Sequence, residues 1–156
     1  MARKLELTSR RKIAVDLMVE IALQGRDTAV PLSRVAAEID VSMSTLEHLS
    51  ADLRRGGLIR GFKGPGGGYM LAKPAAEISI SDIGLRTKDW PAARSNEEQD
   101  ALESWCPQTR NLWDEMEKCQ YLLLRHISLA DVLHGDIEGH SFLKRMRDAC
   151  NQGSLL

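Results

Sequence analysis

The first forty positions place apolar residues at intervals of three and four, the spacing of helices with one buried face. A first helix is predicted from a capping Thr8 or Ser9 to about Gln24, with a glycine directly after it. A second, opened by Pro31, is predicted over about 32–39. Because both have an aliphatic inner face, we expect them to pack on a common core.

A third helix and a glycine-rich hairpin follow. The helix, capped by Ser42 or Ser44, ends at a pair of glycines. Segments 58–62 and 68–71 have strand character, and 63–67, with three glycines and a proline, is predicted to be the turn between them. Two short helices joined by a tight turn behind a first helix, then a hairpin, is the element order of a winged helix-turn-helix domain.

The C-terminal half is predicted to be helical around one long polar segment. A short helix is predicted over 80–85, and the polar, acidic stretch 86–107 is predicted to be a loop. A long helix over about 109–127 carries apolar residues near coiled-coil spacing, among them Cys119, which we expect to be a small core residue. Two shorter amphipathic segments follow. The predicted fold class is mostly α, an N-terminal winged helix-turn-helix domain with a long C-terminal dimerisation helix.

Charge divides the chain near the same boundary as the predicted elements. Residues 1–75 contain 12 Lys and Arg against 8 Asp and Glu, a balance of +4, and residues 76–156 contain 9 against 14, a balance of −5. A basic half favours a polyanion partner, although a chance asymmetry of solvated charges gives the same numbers. The predicted domains are a DNA-binding domain over 1–75, a connecting helix and sensor loop over 76–107, and dimerisation and C-terminal helices over 108–156.

Composition excludes several classes of protein. With 43% hydrophobic and 28% charged residues, the chain is typical of a globular protein. It has no run of 18 apolar residues and a charged N-terminus, so we expect no membrane span, no signal peptide and a cytoplasmic location. No nucleophile–base pair, apolar carboxylate pair or dinucleotide fingerprint is apparent. We therefore expect neither enzymatic activity nor a small-molecule substrate, and double-stranded DNA is the expected partner.

The third helix and the hairpin tip hold the candidate DNA contacts. Hydroxyls bond bases or phosphates, a glutamate accepts from cytosine N4 in the major groove, and a wing lysine enters the minor groove or holds a phosphate. The alternatives are that the serines only cap the helix, that Glu47 is a capping-box partner of Ser44, and that the arginines are surface charge. The candidates are Ser42, Ser44, Thr45, Glu47, His48, Arg54, Arg60, Lys63, Gly64 and Gly66.

Four longer strings carry a family resemblance. They are Ser44-Thr45-Leu46-Glu47-His48-Leu49, Leu53-Arg54-Arg55-Gly56-Gly57-Leu58-Ile59, Gly64-Pro65-Gly66-Gly67-Gly68-Tyr69-Met70-Leu71 and Ile127-Ser128-Leu129-Ala130-Asp131-Val132-Leu133. With them the chain resembles the IscR/NsrR/CymR-type winged-helix transcription regulators over nearly its whole length up to Leu133. The resemblance implies a homodimer joined through the long helix, with one wing domain on each half of a palindromic promoter site. It also implies that Ser42, Ser44 and Glu47 face the major groove and that Lys63 stands where members often carry a wing arginine.

The resemblance also implies a sensor, and here the match is partial. Many members hold an iron–sulfur cluster on three cysteines ahead of the dimer helix; Cys106 occupies the last of these positions, while Arg94 and Asp100 stand near the other two. Three interpretations of Cys106 stay open: a ligand of a 2Fe-2S cluster with atypical further ligands, a redox-sensitive thiol, or a remnant. The expected function is a repressor that responds to iron or redox status. The alternatives are a thiol-based or non-cluster regulator and a winged-helix protein-interaction module.

Overall fold

The computed structural model describes residues 9–25, 28–87, 107–135, 137 and 140–151. Within them the predicted order of elements is found, and the long helix begins two residues earlier than the apolar pattern indicates. The elements are α1 Ser9–Gln24, α2 Leu32–Ile39, α3 Met43–Arg55, β1 Ile59–Phe62, β2 Gly68–Leu71, a 3₁₀ turn Ala75–Glu77, α4 Ile80–Gly84, α5 Pro107–Arg125, α6 Leu129–His134 and α7 Ser141–Asn151. The fold is mostly helical with a two-stranded wing.

One apolar core joins the N-terminal helices to the segment that follows α5. Leu17, Met18 and Ile21 on α1 are fully buried, and so is Leu129 at the start of α6. These side chains belong to one cluster of buried residues that also takes in the inner face of α3. The buried side of α1 is the one that the apolar spacing indicates, since residues three and four apart share a helix face.

The wing is an antiparallel hairpin held against the start of α2. Its register pairs Ile59 with Leu71 at one end and Phe62 with Gly68 at the other. Tyr69 exchanges two backbone hydrogen bonds with Val30, both 2.9 Å long, and so adds a third short segment to the edge of β2. The wing is therefore fixed to the helix-turn-helix unit through its own backbone.

Two similar capped turns connect α4 to α6. Ser79 and Asp82 form a capping box at α4, and Ser128 and Asp131 form another at α6. The two serines face each other in an isolated antiparallel bridge, with Ile80 N–H donating to the Ile127 carbonyl at 2.9 Å and Leu129 N–H donating to the Ile78 carbonyl at 2.8 Å. The segment that follows α5 is thereby attached to the start of α4.

Candidate nucleic-acid interface

Helix α3 buries one face and exposes the other. Leu46, Leu49, Ser50 and Leu53 lie in the core. The remaining positions, together with Met43 at the very start of the helix, are partly or fully open to solvent. Its exposed side chains are Met43, Ser44, Glu47, His48, Arg54 and Arg55.

The N-terminus of α3 decides between the two predicted capping residues. Ser42 is the cap: its Oγ accepts from the Thr45 N–H at 3.3 Å and lies 2.9 Å from the Thr45 hydroxyl. The alternative, a cap by Ser44 with Glu47 closing the box, is wrong because α3 begins one residue after Ser42. The hydroxyls of Ser42 and Thr45 are engaged with each other, whereas the side chains of Ser44 and Glu47 make no hydrogen bond to any residue that the structure describes.

The charged groups on the exposed face of α3 differ in whether they have an ion-pair partner. Arg55 forms an ion pair with Asp52, three residues earlier on the same helix. Within the part of the chain that the structure describes, Glu47 and Arg54 make no hydrogen bond or ion pair. Glu47 is therefore a solvated carboxylate next to a helix N-terminus, and Arg54 a solvated cation near the C-terminus of the same face.

The tip of the wing is a glycine turn with a lysine at its start. Gly64 and Gly66 have φ values of 97° and 75°, in the left-handed region that favours glycine. Gly67 N–H donates to the Gly64 carbonyl at 2.9 Å and closes the turn. A side chain at Gly67 would lie 2.5 Å from the Phe62 carbonyl, so the tip stays narrow. Lys63 is exposed on this narrow tip.

Two exposed apolar residues lie beside these candidates and were not predicted from the sequence. Met43, the first residue of α3, is 41% exposed, and Phe62, the last residue of β1, is 45% exposed. The Phe62 ring lies 5.5 Å from the guanidinium carbon of Arg60. The two-residue repeat of a strand could have predicted the exposure of Phe62. Because Ile59 is buried, Arg60 and Phe62, one and three positions later, lie on the opposite, outer face of the hairpin.

Helix α5 exposes an apolar stripe. Leu112, Met116 and Leu122 are each more than half exposed, and Cys119 is an exposed free thiol between them. Cys119 is thus exposed in the single chain, and its expected place in the seam of a dimer stays a prediction. Lys118 lies 2.7 Å from Glu115, and this hydrogen bond raises the pKa of Lys118.

A hydrogen bond connects α5 to α1, the first helix of the chain. The Arg11 side chain on α1 donates to the Gln120 side chain on α5 at 3.1 Å. The two residues are 109 positions apart in the chain. The exposed stripe of α5 therefore lies on a helix that is tied to α1 by side chains as well as through the turn after α5.

The candidate cluster ligand Cys106 lies outside the described residues, as do Arg94 and Asp100. Among the residues that are described, no group of three or more His, Cys, Asp or Glu side chains has the arrangement of a metal site. His140 lies 3.6 Å from Asp131, which is a pair only. An iron–sulfur cluster needs several thiolates or equivalent ligands, so this part of the chain does not fit such a group.

A family model described as Rrf2, an iron-dependent transcriptional regulator, matches residues 7–135. The chain belongs to the Rrf2 family. An HTH-type transcriptional regulator assigned in Neisseria meningitidis serogroup A is 33% identical to this Rrf2 chain over 134 residues, covering 83% of it and 88% of the relative. The regulator IscR of Yersinia enterocolitica is 30% identical over 132 residues, covering 83% and 80%.

Solved structures of the same kind share the fold. IscR of T. potens superposes on this Rrf2 chain with a TM-score of 0.68 at 26% identity, covering 89% of it and 93% of the other chain. The oxidized form of Staphylococcus aureus CymR gives a TM-score of 0.64 at 29% identity, covering 83% and 96%. The chain is thus an Rrf2-family helix-turn-helix transcriptional regulator, related to IscR and CymR, and not an enzyme. No helix in its described part is long and apolar enough to cross a bilayer.

Proposed function

We propose that this Rrf2-family regulator is a homodimeric repressor that binds a palindromic promoter site, one wing domain to each half-site. The observation that carries the proposal is the exposed face at the N-terminus of α3, which lies on the helix that such domains place in the major groove. Two-fold symmetry of the protein requires a matching symmetry of the site, with half-sites about one helical turn apart.

Base recognition is assigned to the free groups at the start of α3. Glu47 accepts a hydrogen bond from cytosine N4, and Ser44 and His48 contact neighbouring base edges. Met43 adds an apolar surface suited to a thymine methyl group. The absence of a partner for the Glu47 carboxylate among the described residues supports this assignment.

Backbone contacts are assigned to the cations and to the turn. Arg54 and Arg60 contact phosphates, and Lys63 enters the minor groove at a tip where Gly64 and Gly66 let the backbone approach closely. Ser42 and Thr45 act through the cap, in which the Ser42 hydroxyl accepts from the Thr45 amide. The two amides ahead of it, of Met43 and Ser44, are assigned to a phosphate, which helix N-termini bind well.

The homodimer is assigned to α5 within the predicted C-terminal unit, residues 108–156. Leu112, Met116, Cys119 and Leu122 recur at intervals of three and four along this helix, and all are exposed in the single chain. A second copy of the same stripe would cover them, since a two-fold interface is self-complementary. The DNA-binding unit, residues 1–75, then lies outside the dimer contact.

Specific DNA binding is tested with full-length protein and an operator duplex selected from a randomised library. Binding should weaken steeply with salt, because phosphate neutralisation releases counterions. Glu47→Ala should change the preferred base at one position per half-site, and Lys63→Ala should lower affinity for all sequences alike. Glu38→Ala on α2 and Lys73→Ala beyond β2, both exposed, are matched controls expected to bind as the wild type does. Failure to select any duplex would contradict the proposal and favour a protein-interaction module.

Met43 has its own test, in which a single methyl group is removed from the DNA. Replacing each thymine of the selected operator by uracil should weaken wild-type binding at one position per half-site. Met43→Ala should weaken binding to the thymine duplex and remove the difference between the two duplexes. If the variant still discriminates thymine from uracil, Met43 is not the group that contacts the methyl.

A response to iron or redox status through Cys106 is the second part of the proposal. It is supported by the description of the family as iron-dependent and by the place of Cys106 directly before α5. Iron, acid-labile sulfide and a visible spectrum are to be measured on anaerobically purified wild type and Cys106→Ala. Iron and sulfide that disappear in the variant support a 2Fe-2S site with atypical ligands. Iron-free wild type refutes the cluster, and a change in DNA affinity on thiol oxidation would then indicate a thiol-based regulator.

Repression is tested by transcription in vitro from a promoter that contains the selected operator. The wild type should lower transcript yield, and Glu47→Ala should not at the same concentration. A higher yield with the wild type would make the protein an activator at that promoter.

A further inference from the structure

The outer surface of the wing carries an arginine held against an aromatic ring. Arg60 and Phe62 are two residues apart on β1, and the guanidinium carbon lies 5.5 Å from the ring centroid. This is within the range of a cation–π contact. Phe62 is 45% exposed, although its side chain is large and apolar.

The backbone of the wing explains why the ring stays uncovered. Phe62 pairs across the hairpin with Gly68, which offers no side chain to lie on the ring. Gly68 cannot be larger, because a Cβ there would lie 2.3 Å from the carbonyl oxygen of Val30. Within the described ranges, Arg60 is therefore the residue whose charged group lies over the ring.

The guanidinium of Arg60 is otherwise unengaged. Among the described residues it has no carboxylate partner and no hydrogen bond, unlike Arg55, which is paired with Asp52. A guanidinium has five N–H donors, and among the described residues none of those of Arg60 is used in a hydrogen bond. An arginine held over a ring by a cation–π contact keeps fewer rotamers, so it loses less side-chain entropy when an anion binds.

We propose that Phe62 is a positioning residue that holds the guanidinium of Arg60 ready for a DNA phosphate at the flank of the wing. The ligand is a phosphodiester oxygen, which the planar donor fork of arginine fits. Phe62 itself does not touch the DNA. This inference rests on the proposed DNA-binding function. It adds Phe62 as a residue that contributes to DNA affinity by positioning Arg60.

The test is a double-mutant cycle on the selected operator duplex, with affinity measured over a range of salt concentrations. Arg60→Ala should lower the salt slope by about 0.9 for each phosphate that is no longer neutralised. Phe62→Ala should weaken binding roughly two- to five-fold per wing, the worth of an exposed cation–π contact, and should lower the slope in the same direction. The double variant should bind no more weakly than Arg60→Ala alone.

Two conservative variants separate positioning from direct contact. Phe62→Tyr keeps the ring and should retain wild-type affinity and slope, whereas Phe62→Leu keeps apolar volume without a π face and should behave like Phe62→Ala. If leucine restores affinity, or if the Phe62 and Arg60 effects add, the ring acts on the DNA directly and the inference is overturned. Failure of the wild type to bind any duplex overturns the proposed function as well. Thermal unfolding of each variant checks that this exposed position leaves the fold intact.

Discussion

Removal of one exposed leucine from α5 should weaken dimerisation by an amount that follows from its exposure. Leu112 is 55% exposed in the single chain. Fully burying a leucine is worth about 1.5–3 kcal/mol, so about half of that is left for each copy to gain at an interface. Because a two-fold contact buries both copies, Leu112→Ala should cost the dimer about 1.5–3 kcal/mol, a roughly 10- to 150-fold rise in dissociation constant.

Sedimentation equilibrium over a wide range of concentrations measures this constant without DNA. The chain supplies a matched control in Leu23, which is 57% exposed but lies on α1. Leu23→Ala should leave the constant unchanged, and Met116→Ala should raise it as Leu112→Ala does. An unchanged constant for Leu112→Ala, or an equal change for Leu23→Ala, would refute the assignment of the dimer contact to α5. In that case the stripe is covered by something other than a second copy.

Two further predictions concern stability. Gly68→Ala should lower the free energy of unfolding by roughly 2–3 kcal/mol, because the new Cβ would clash with the backbone of Val30. Gly57→Ala should lower it by about 1 kcal/mol, because φ is +69° there but the space is open. Urea titration measures both. Hydrogen bonds from the side chain and the backbone of Ser128 lower the pKa of Asp131. Its native pKa lies below the unfolded value, so its contribution is complete above that value, near 3.8, and is lost as pH falls through the native pKa. Asp131→Asn should therefore be less stable than wild type at neutral pH and should converge with it in acid, as urea titration at each pH would measure.

Element order was predictable from the sequence because it depends on periodicity and on glycine. The inner face of α1 and the position of the wing follow from local patterns, and the structure agrees with both. The choice of Ser42 over Ser44 as cap was not predictable, since either residue satisfies the local rule and sequence patterns place helix ends only to within one or two residues.

The pairing of side chains across elements was beyond the sequence for a different reason. Phe62 is exposed because Gly68 faces it, and Gly68 is required by the backbone at Val30, which is more than thirty residues away in the chain. The pattern of a strand indicates which residues share a face, but it does not indicate which residues of other segments pack against that face. The same holds for Ser79 and Ser128, whose bridge joins two distant capping boxes that look, in the sequence, like independent helix starts.

That bridge fixes the end of α5 to the start of α4, and so to the part of the chain that carries the proposed DNA-binding face. Two backbone hydrogen bonds and the buried side chains of Ile78, Ile127 and Leu129 join the start of α4 to the end of α5. If the dimer axis runs beside α5, the distance between the two copies of α3 depends on this junction, and so does the spacing of half-sites that the dimer accepts.

Loosening the junction should therefore widen the tolerated spacing. Leu129→Ala removes a fully buried side chain and should lower stability by about 2–5 kcal/mol; Ile127→Val, at about 0.5–1.5 kcal/mol, is the milder variant. When one base pair is added or removed between the half-sites, the wild type should lose most of its affinity. The two variants should lose less, and Leu129→Ala, which is the more destabilised, should lose least. A variant that loses stability but keeps the wild-type spacing preference would contradict this reasoning. The junction would then have been loosened without a change in the distance between the two copies of α3, and the accepted spacing would be set elsewhere.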